Sequence, residues 1–333
     1  MSVFLKESTL FAQAISRLDD RPILVLGHKR PDGDCVGSQV GLTRALLALG
    51  KDAQAVNQDP IPRTLRKFAE GTPFLSPAEV KGGHYQIITV DCADHARVGE
   101  DLCNRFPEVE MNIDHHVSNT LYGKENFILS DASATGEILA KFFFDSGFQV
   151  DKCTAEALYL GICTDTGQFC YSGTNGSVFE ICRMLCDAGA CPSEIARELY
   201  EKEKPGRIQL LQRFLASFRM ELQDRVCVGC IHGADFLETG TKPEDAENFV
   251  DYARSQDGVQ IAVFIEERNG LIKGSFRAKD EKFRVDILAK EFNGGGHTCA
   301  AGFNVNGTLE ELYPNLIETI NRHLELVETG ELN

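Results

Sequence analysis

Basic residues are too few for a protein that grips long nucleic acids. Lys and Arg total 34 against 50 Asp and Glu, a formal net charge of −16 and a pI of about 5.0. Phosphate neutralisation dominates affinity for long DNA or RNA and normally shows as a broad basic face. The chain as a whole has no such excess, so long duplexes are excluded as partners, while a local basic pocket for a short phosphorylated ligand is still allowed. Long apolar runs are also missing. None approaches the roughly 18 residues needed to span a membrane, and the start MSVFLKESTLFAQAI lacks the basic head and apolar core of a signal peptide. A cytoplasmic protein with no membrane partner is expected. There is no low-complexity segment and no internal repeat. Cysteine is present twelve times, but only one CxxC occurs, Cys227 and Cys230 in the strand-like VCVGCIH. Without a second CxxC, packing is the better reading than a zinc or redox site. Cys163, Cys182 and Cys227 lie in apolar segments and read as small buried hydrophobes of a reducing compartment.

The 333 residues, 43% of them hydrophobic, suffice for two domains. In the first half, short apolar strands alternate with helical patterns. PILVLGH ends a strand at His28, YQIITVD another at Asp91, and EVEMNID a third at Asp114; a helix from about Cys35 to Leu49 stops at Gly50. This is the pattern of an α/β domain whose parallel sheet is covered by helices on both faces. Ligands of such sheets bind beyond the carboxyl ends of the strands. TAEALYLGIC reads as a helix with Asp165 just past its end. Residues 192–220 form a polar, helical connector broken at Pro205-Gly206, between a catalytic domain (1–191) and a smaller α/β domain (221–333). That second domain should hold strands near Arg225–Ile231, Val259–Glu266 and Leu271–Ala278, and a last helix over Leu309–Leu326.

Six metal-ligand candidates recur in the first domain: His28, Asp32 and Asp34 in GHKRPDGD, Asp91 in ITVDCAD, His115 in NIDHH, and Asp165 in GICTDTG. An isolated Asp-x-Asp or a lone His is usually an ordinary loop residue. The ordered recurrence of all six in one α/β domain is not. Four carboxylates and two imidazoles serve two divalent ions if one carboxylate, Asp91, is shared. Pro31 and Gly33 make PDGD a turn that aims Asp32 and Asp34 at different ions. Mixed oxygen and imidazole ligation suits Mn²⁺, with Mg²⁺, Co²⁺ or Fe²⁺ as substitutes, rather than structural zinc. Metal-assisted phosphoryl chemistry follows.

HKRPDGD, VDCAD, IDHH and TDTGQF together resemble the four motifs of the DHH phosphoesterase family, and GGGHTCAAGF resembles the signature of its DHHA1 domain. The chain is most similar to two-domain members, the nanoRNase and pAp-phosphatase (NrnA-like) group and related cyclic-dinucleotide phosphodiesterases. The resemblance implies one ion on His28, Asp32 and Asp91 and another on Asp34, Asp91, His115 and Asp165. It also implies Mn²⁺ as the favoured ion, His116 facing the substrate phosphate as the catalytic donor, and Asp114 orienting its neighbours. Many relatives have Arg where Cys170 stands. In the second domain, Gly294, Gly295, Gly296 and His297 follow a basic strand whose alternation puts Lys273, Arg277 and Lys279 on one face. Glycines let backbone N–H groups approach a phosphate. The resemblance favours Arg277 and His297 as substrate contacts; Arg97 is a further candidate. The expected activity is hydrolysis of short oligonucleotides (nanoRNA), linear dinucleotides or pAp-like nucleotides. The alternatives are a cyclic-dinucleotide phosphodiesterase, an inorganic pyrophosphatase or polyphosphatase, and a non-catalytic nucleotide sensor. Closure of the two domains on substrate is expected, and a homodimer is compatible with the sequence.

Overall fold

Six apolar segments in the first half pair as one all-parallel sheet. They are β1 (Ile23–Leu26), β2 (Ala53–Val56), β3 (Phe74–Leu75), β4 (Gln86–Val90), β5 (Met111–Asp114) and β6 (Glu125–Ile128), in the order β3-β2-β1-β4-β5-β6. The computed structural model describes residues 5–268 and 270–331. Strands β1, β4 and β5 are buried throughout because both faces of the sheet are covered. Ile23 and Val25 enter one core, with residues of α1 (Leu5–Arg17), α2 (Gly33–Ala48), α5 (Thr135–Ser146) and α6 (Lys152–Asp165). Leu24 and Leu26 enter a smaller core with Leu102 of α4 (Glu100–Arg105). Three further helices belong to this half: α3 (Arg66–Ala69), α7 (Gly176–Asp187) and α8 (Pro192–Tyr200). From β1 the chain proceeds outward through β2 and β3, and from β4 it proceeds in the opposite direction. The switch point, where open parallel sheets bind ligands, is therefore the gap between the carboxyl ends of β1 and β4.

Two local expectations change. PDGD is not a separate turn: Asp32 is the N-cap of α2, accepting from the Cys35 amide at 3.1 Å, and Asp34 lies in the helix's first turn. The helix expected to stop before Asp165 continues to it, so that Asp165 is the last residue of α6. The reason for the first change is that an aspartate with extended backbone is a strong N-cap, and its side chain can hold an amide while still offering an oxygen outward.

The chain divides into two compact units between Lys202 and Glu203. The connector is thereby split. Helix α8 buries Ile195 in the first core, and α9 (Pro205–Ala216) buries Leu210 and Phe214 in the second unit. Pro205 begins α9, where its missing N–H costs nothing. The second unit is a mixed sheet in the order β11-β12-β10-β9-β8-β7, formed by β7 (Arg219–Glu221), β8 (Val226–His232), β9 (Ile261–Arg268), β10 (Leu271–Ala278), β11 (Gly295–His297) and β12 (Ala300–Asn306). Its helices are α10 (Gly233–Thr239), α11 (Phe249–Arg254), α12 (Val285–Lys290) and α13 (Leu309–Thr329). Cys227 and Cys230 are both buried but belong to different cores, one on each face of β8. Three residues along a strand point to opposite faces, so the two thiols cannot share a metal ion. Among the described residues, no helix is long and apolar enough to cross a membrane.

Candidate active site

The first unit gathers the predicted ligands at its switch point. His28 follows β1 and Asp91 follows β4. Asp91 is the centre. Its Oδ2 lies 3.4 Å from His28 Nε2, while its Oδ1 lies 3.6 Å from His115 Nε2 and 3.7 Å from His116 Nδ1. One carboxylate thus presents one oxygen to His28 and the other to His115 and His116. On the first side, Asp32 Oδ2 stands 3.6 Å from His28 Nε2. The buried thiol of Cys35 joins His28 and Asp91 there, a neighbour that the motif reading omitted. On the second side, Asp34, His115 and Asp165 bring one ligand atom each within 4.8 Å of one another, with His115 Nε2 to Asp165 Oδ2 at 3.2 Å.

Neighbouring groups hold these side chains in position. His28 Nδ1 donates to the Lys29 carbonyl at 2.9 Å, which turns Nε2 toward the Asp32 and Asp91 carboxylates. Asp34 is held by α5: the Thr135 amide donates to its Oδ2 at 2.7 Å and the Gly136 amide to its Oδ1 at 2.8 Å. A helix N-terminus favours a carboxylate. The fully buried Asp114 accepts from the His115 amide at 2.9 Å, from His116 Nδ1 at 2.7 Å, and from Asn119 Nδ2 at 2.6 Å. Burial works to raise its pKa, but these bonds, that of His116 first, hold it below the usual value. Asp91 and Asp165 behave oppositely. Burial, then the negative charge of Asp34, raises Asp91 well above the ordinary range. Burial, followed by Asp34 and Asp32, pushes Asp165 up to about 8. Carboxylates crowded into one space are what a divalent cation neutralises, and the hard oxygen and imidazole donors suit such an ion.

Glycines make the crowding possible. A Cβ on Gly37 of α2 would lie 2.2 Å from the carbonyl oxygen of Ala157 in α6, and one on Gly33 would lie 2.3 Å from the Thr164 hydroxyl. A Cβ on Gly41 would meet the Leu158 side chain at 2.6 Å, and one on Gly161 would meet Asp34 Oδ1 at 2.6 Å. The stripe Gly33, Gly37, Gly41 recurs every four residues on one helix face, and it lets α6 bring Asp165 toward Asp34. That spacing was visible in the sequence, but it gained meaning only once its partner helix was known.

The remaining candidates are spread differently. Arg97 is exposed, in a short 3₁₀ turn whose backbone oxygen accepts from the Lys29 amide at 2.7 Å. Cys170 is exposed beyond Asp165, after Gly167, Gln168 and Phe169, all with left-handed backbone. In the second unit, Gly295–His297 form strand β11 rather than a loose turn. Register puts Arg277 of β10, Ala300 of β12 and His297 of β11 in one row across three strands. Side chains paired in this way share a face. A Cβ on Gly294 or Gly296 would strike the β12 backbone, at 2.2 Å from the Gly302 oxygen or 2.4 Å from the Ala300 oxygen. Gly295, facing Gly302, has open space before it. Two of the three glycines are thus required by the hairpin, and one leaves a face beside Arg277 and His297 uncovered. Lys279 lies just beyond β10 and donates to the Gln256 carbonyl.

Comparison with known proteins agrees with this picture. The N-terminal domain of the DHH family matches residues 22–162, and the DHHA1 domain matches residues 223–326. The bifunctional oligoribonuclease and PAP phosphatase NrnA of Thermus thermophilus is 30% identical over 93% of this chain and 92% of its own. The Bacillus subtilis protein of the same description is 28% identical, over 85% of this chain and 89% of that one. A crystal structure of an exopolyphosphatase-related protein from Bacteroides fragilis shares the fold, with a TM-score of 0.85, 24% identity, and coverage of 97% and 98% of the two chains. The protein is an enzyme that hydrolyses phosphoesters. It belongs to the DHH family and carries a DHHA1 domain after the DHH domain.

Proposed function

We propose that the substrates are short oligonucleotides, linear dinucleotides or pAp-like nucleotides, and that catalysis uses two divalent ions, Mn²⁺ by preference. The observation that carries the two-ion part is Asp91, whose separate oxygens face His28 and His115. The substrate class is supported by the NrnA relatives, named for oligoribonuclease and PAP phosphatase activity. His28, Asp32 and Asp91 would hold one ion; Asp34, Asp91, His115 and Asp165 would hold the other. When bound, such a pair supplies Lewis acidity toward phosphoryl oxygens and lowers the pKa of water.

The chain's own residues do the rest. Asp114 anchors His116 by Nδ1, which turns Nε2 outward as the donor to a phosphate oxygen or leaving group. The α5 amides keep Asp34 from swinging away when its charge is neutralised. In the second unit, Arg277 and His297 lie on one sheet face and would contact nucleotide phosphate or base. The test is a Mn²⁺-supplemented assay on linear and cyclic dinucleotides, short RNA and DNA, pAp and pyrophosphate. Turnover of short linear nucleotides or pAp is expected, abolished by chelation. Hydrolysis of pyrophosphate alone would overturn the reading.

A further inference from the structure

One aromatic ring stands beside the catalytic cluster, and the mechanism leaves it unused. Asp165 ends α6, and the chain then turns back through Gly167, Gln168 and Phe169, with φ of 54°, 59° and 65°. Left-handed backbone at two successive non-glycine residues is costly, and such strain persists where the surrounding structure holds it. Here the turn is anchored by the Cys170 and Tyr171 amides, which donate to the Thr166 carbonyl at 3.0 and 2.9 Å. Its result is the placement of Tyr171. A Cβ on Gly167 would lie 2.4, 2.5 and 2.6 Å from Cζ, Cε1 and Cε2 of that ring. Near-equal distances to three adjoining ring atoms put that point over the face of the ring, not beyond its edge. One face of Tyr171 therefore rests on Gly167. The residue is still 59% exposed, so its other face is open. Gly167 is two residues from Asp165, which is at most about 7.6 Å between Cα atoms. Residues 166–175 include no charged side chain. The other exposed aromatics described in this unit are placed differently: Phe179 stacks on Phe169 at 5.6 Å, and Tyr200 ends α8.

We propose that Tyr171 is a stacking platform for a nucleobase whose phosphate lies at the catalytic cluster. Every base has a π-face, so an aromatic ring binds single-stranded nucleotides by stacking with little regard to sequence. A loop without charged side chains offers a nucleotide this face rather than a countercharge for phosphate. The ring is already in place: one face is supported by glycine and the other is free, so little order is lost when a base lies on it. The inference rests on the nucleotide reading above and deepens it, since the catalytic unit itself would then recognise a base.

The experiment uses the full chain with Mn²⁺ and compares kcat/KM on ApA with that on an abasic dinucleotide, which keeps both sugars and the phosphodiester. The wild type should prefer ApA by about tenfold or more. Equal rates on the two compounds would overturn the assignment, and this comparison does not depend on any variant folding. In Tyr171→Ala the ApA-to-abasic ratio should fall about tenfold. Tyr171→Phe, which keeps the ring, should restore the wild-type ratio. An alanine variant that retains the wild-type ratio would overturn the assignment. Equal losses on both compounds would do the same, because they mark a loop that only supports Asp165. A phenylalanine variant as impaired as the alanine one would also overturn it, because the hydroxyl and not the face would then matter. Turnover of ApA that is indifferent to Tyr171 sinks the platform alone; no turnover of any dinucleotide by the wild type sinks the nucleotide reading with it.

Discussion

Substitution of Gly37 by Ala tests whether close approach of α2 and α6 builds the catalytic cluster. The new Cβ would sit 2.2 Å from the backbone oxygen of Ala157, and the Gly161 amide is 3.1 Å away. Neither atom belongs to a flexible side-chain end, so the helices must separate by roughly 1 Å. Overpacking of this kind costs about 1–3 kcal/mol, and a backbone collision belongs near the top of that range. Alanine's better helix propensity offsets about 1 kcal/mol. The net loss is about 2 kcal/mol, which for a unit of this size lowers the melting temperature by about 4–8 °C. The larger effect should be on turnover. α2 carries Asp34 and α6 carries Asp165, and a 1 Å displacement in a catalytic array can cost about a hundredfold in rate. Gly176→Ala is the control. It lies in the first turn of α7 with nothing within 4 Å of its would-be Cβ, and it should be neutral or stabilising by about 0.4–1 kcal/mol. Thermal unfolding and steady-state assays on both variants decide the matter. A Gly37→Ala enzyme with wild-type melting temperature and rate would refute the argument that glycine spacing on α2 positions the ligands.

Asp91→Asn should abolish turnover and lower the bound metal per chain, read by elemental analysis on the assayed sample. In the wild type, Mn²⁺ at a hundredfold excess over its Kd should stabilise the fold by about 2.7 kcal/mol, and this gain should be much reduced in the variant. Arg277→Ala should reduce kcat/KM on a dinucleotide by about tenfold or more, as loss of a charged hydrogen bond does, and leave a base-free phosphodiester unaffected; equal losses on both substrates would count against a recognition role. The Arg44 guanidinium, 2.6 Å from Asp151, together with its burial and the Thr154 amide, sets Asp151's pKa, with the arginine bond the largest influence, at about 2. A depressed folded-state pKa means stability present above the unfolded value of about 4 and lost as pH falls toward 2. Asp151 also caps α6 through the Thr154 amide at 2.8 Å, so Asp151→Ala should cost about 1 kcal/mol at neutral pH. The gap between wild type and variant should narrow below pH 4; a constant gap in acid titrations would refute the assignment.

The first sheet was readable because β1, β4 and β5 are buried on both faces and therefore appear as unbroken apolar runs, each followed by a polar ligand candidate. Other features were hidden for identifiable reasons. The Asp32 cap and the helical position of Asp34 are local, but Pro31 and Gly33 masked them as turn residues. Cys227 and Cys230, read as packing residues on a strand, do pack, one in each of two cores. Asp34's partners, the amides of Thr135 and Gly136, are about a hundred residues away, and backbone donors leave no mark in composition.

The sequence by itself determined which groups could do chemistry: the His and Asp residues at strand ends, the glycine triplet and the basic strand. Those are matters of residue type and short-range period. Only the tertiary structure decided how they meet. Asp91 faces the imidazoles of His28, His115 and His116 because β1, β4 and β5 lie side by side, and Arg277 and His297 share a face because of the register of three strands. The physical reason is the same throughout: strand pairing and helix contact fix distances between residues far apart in the chain, and no local periodicity records them.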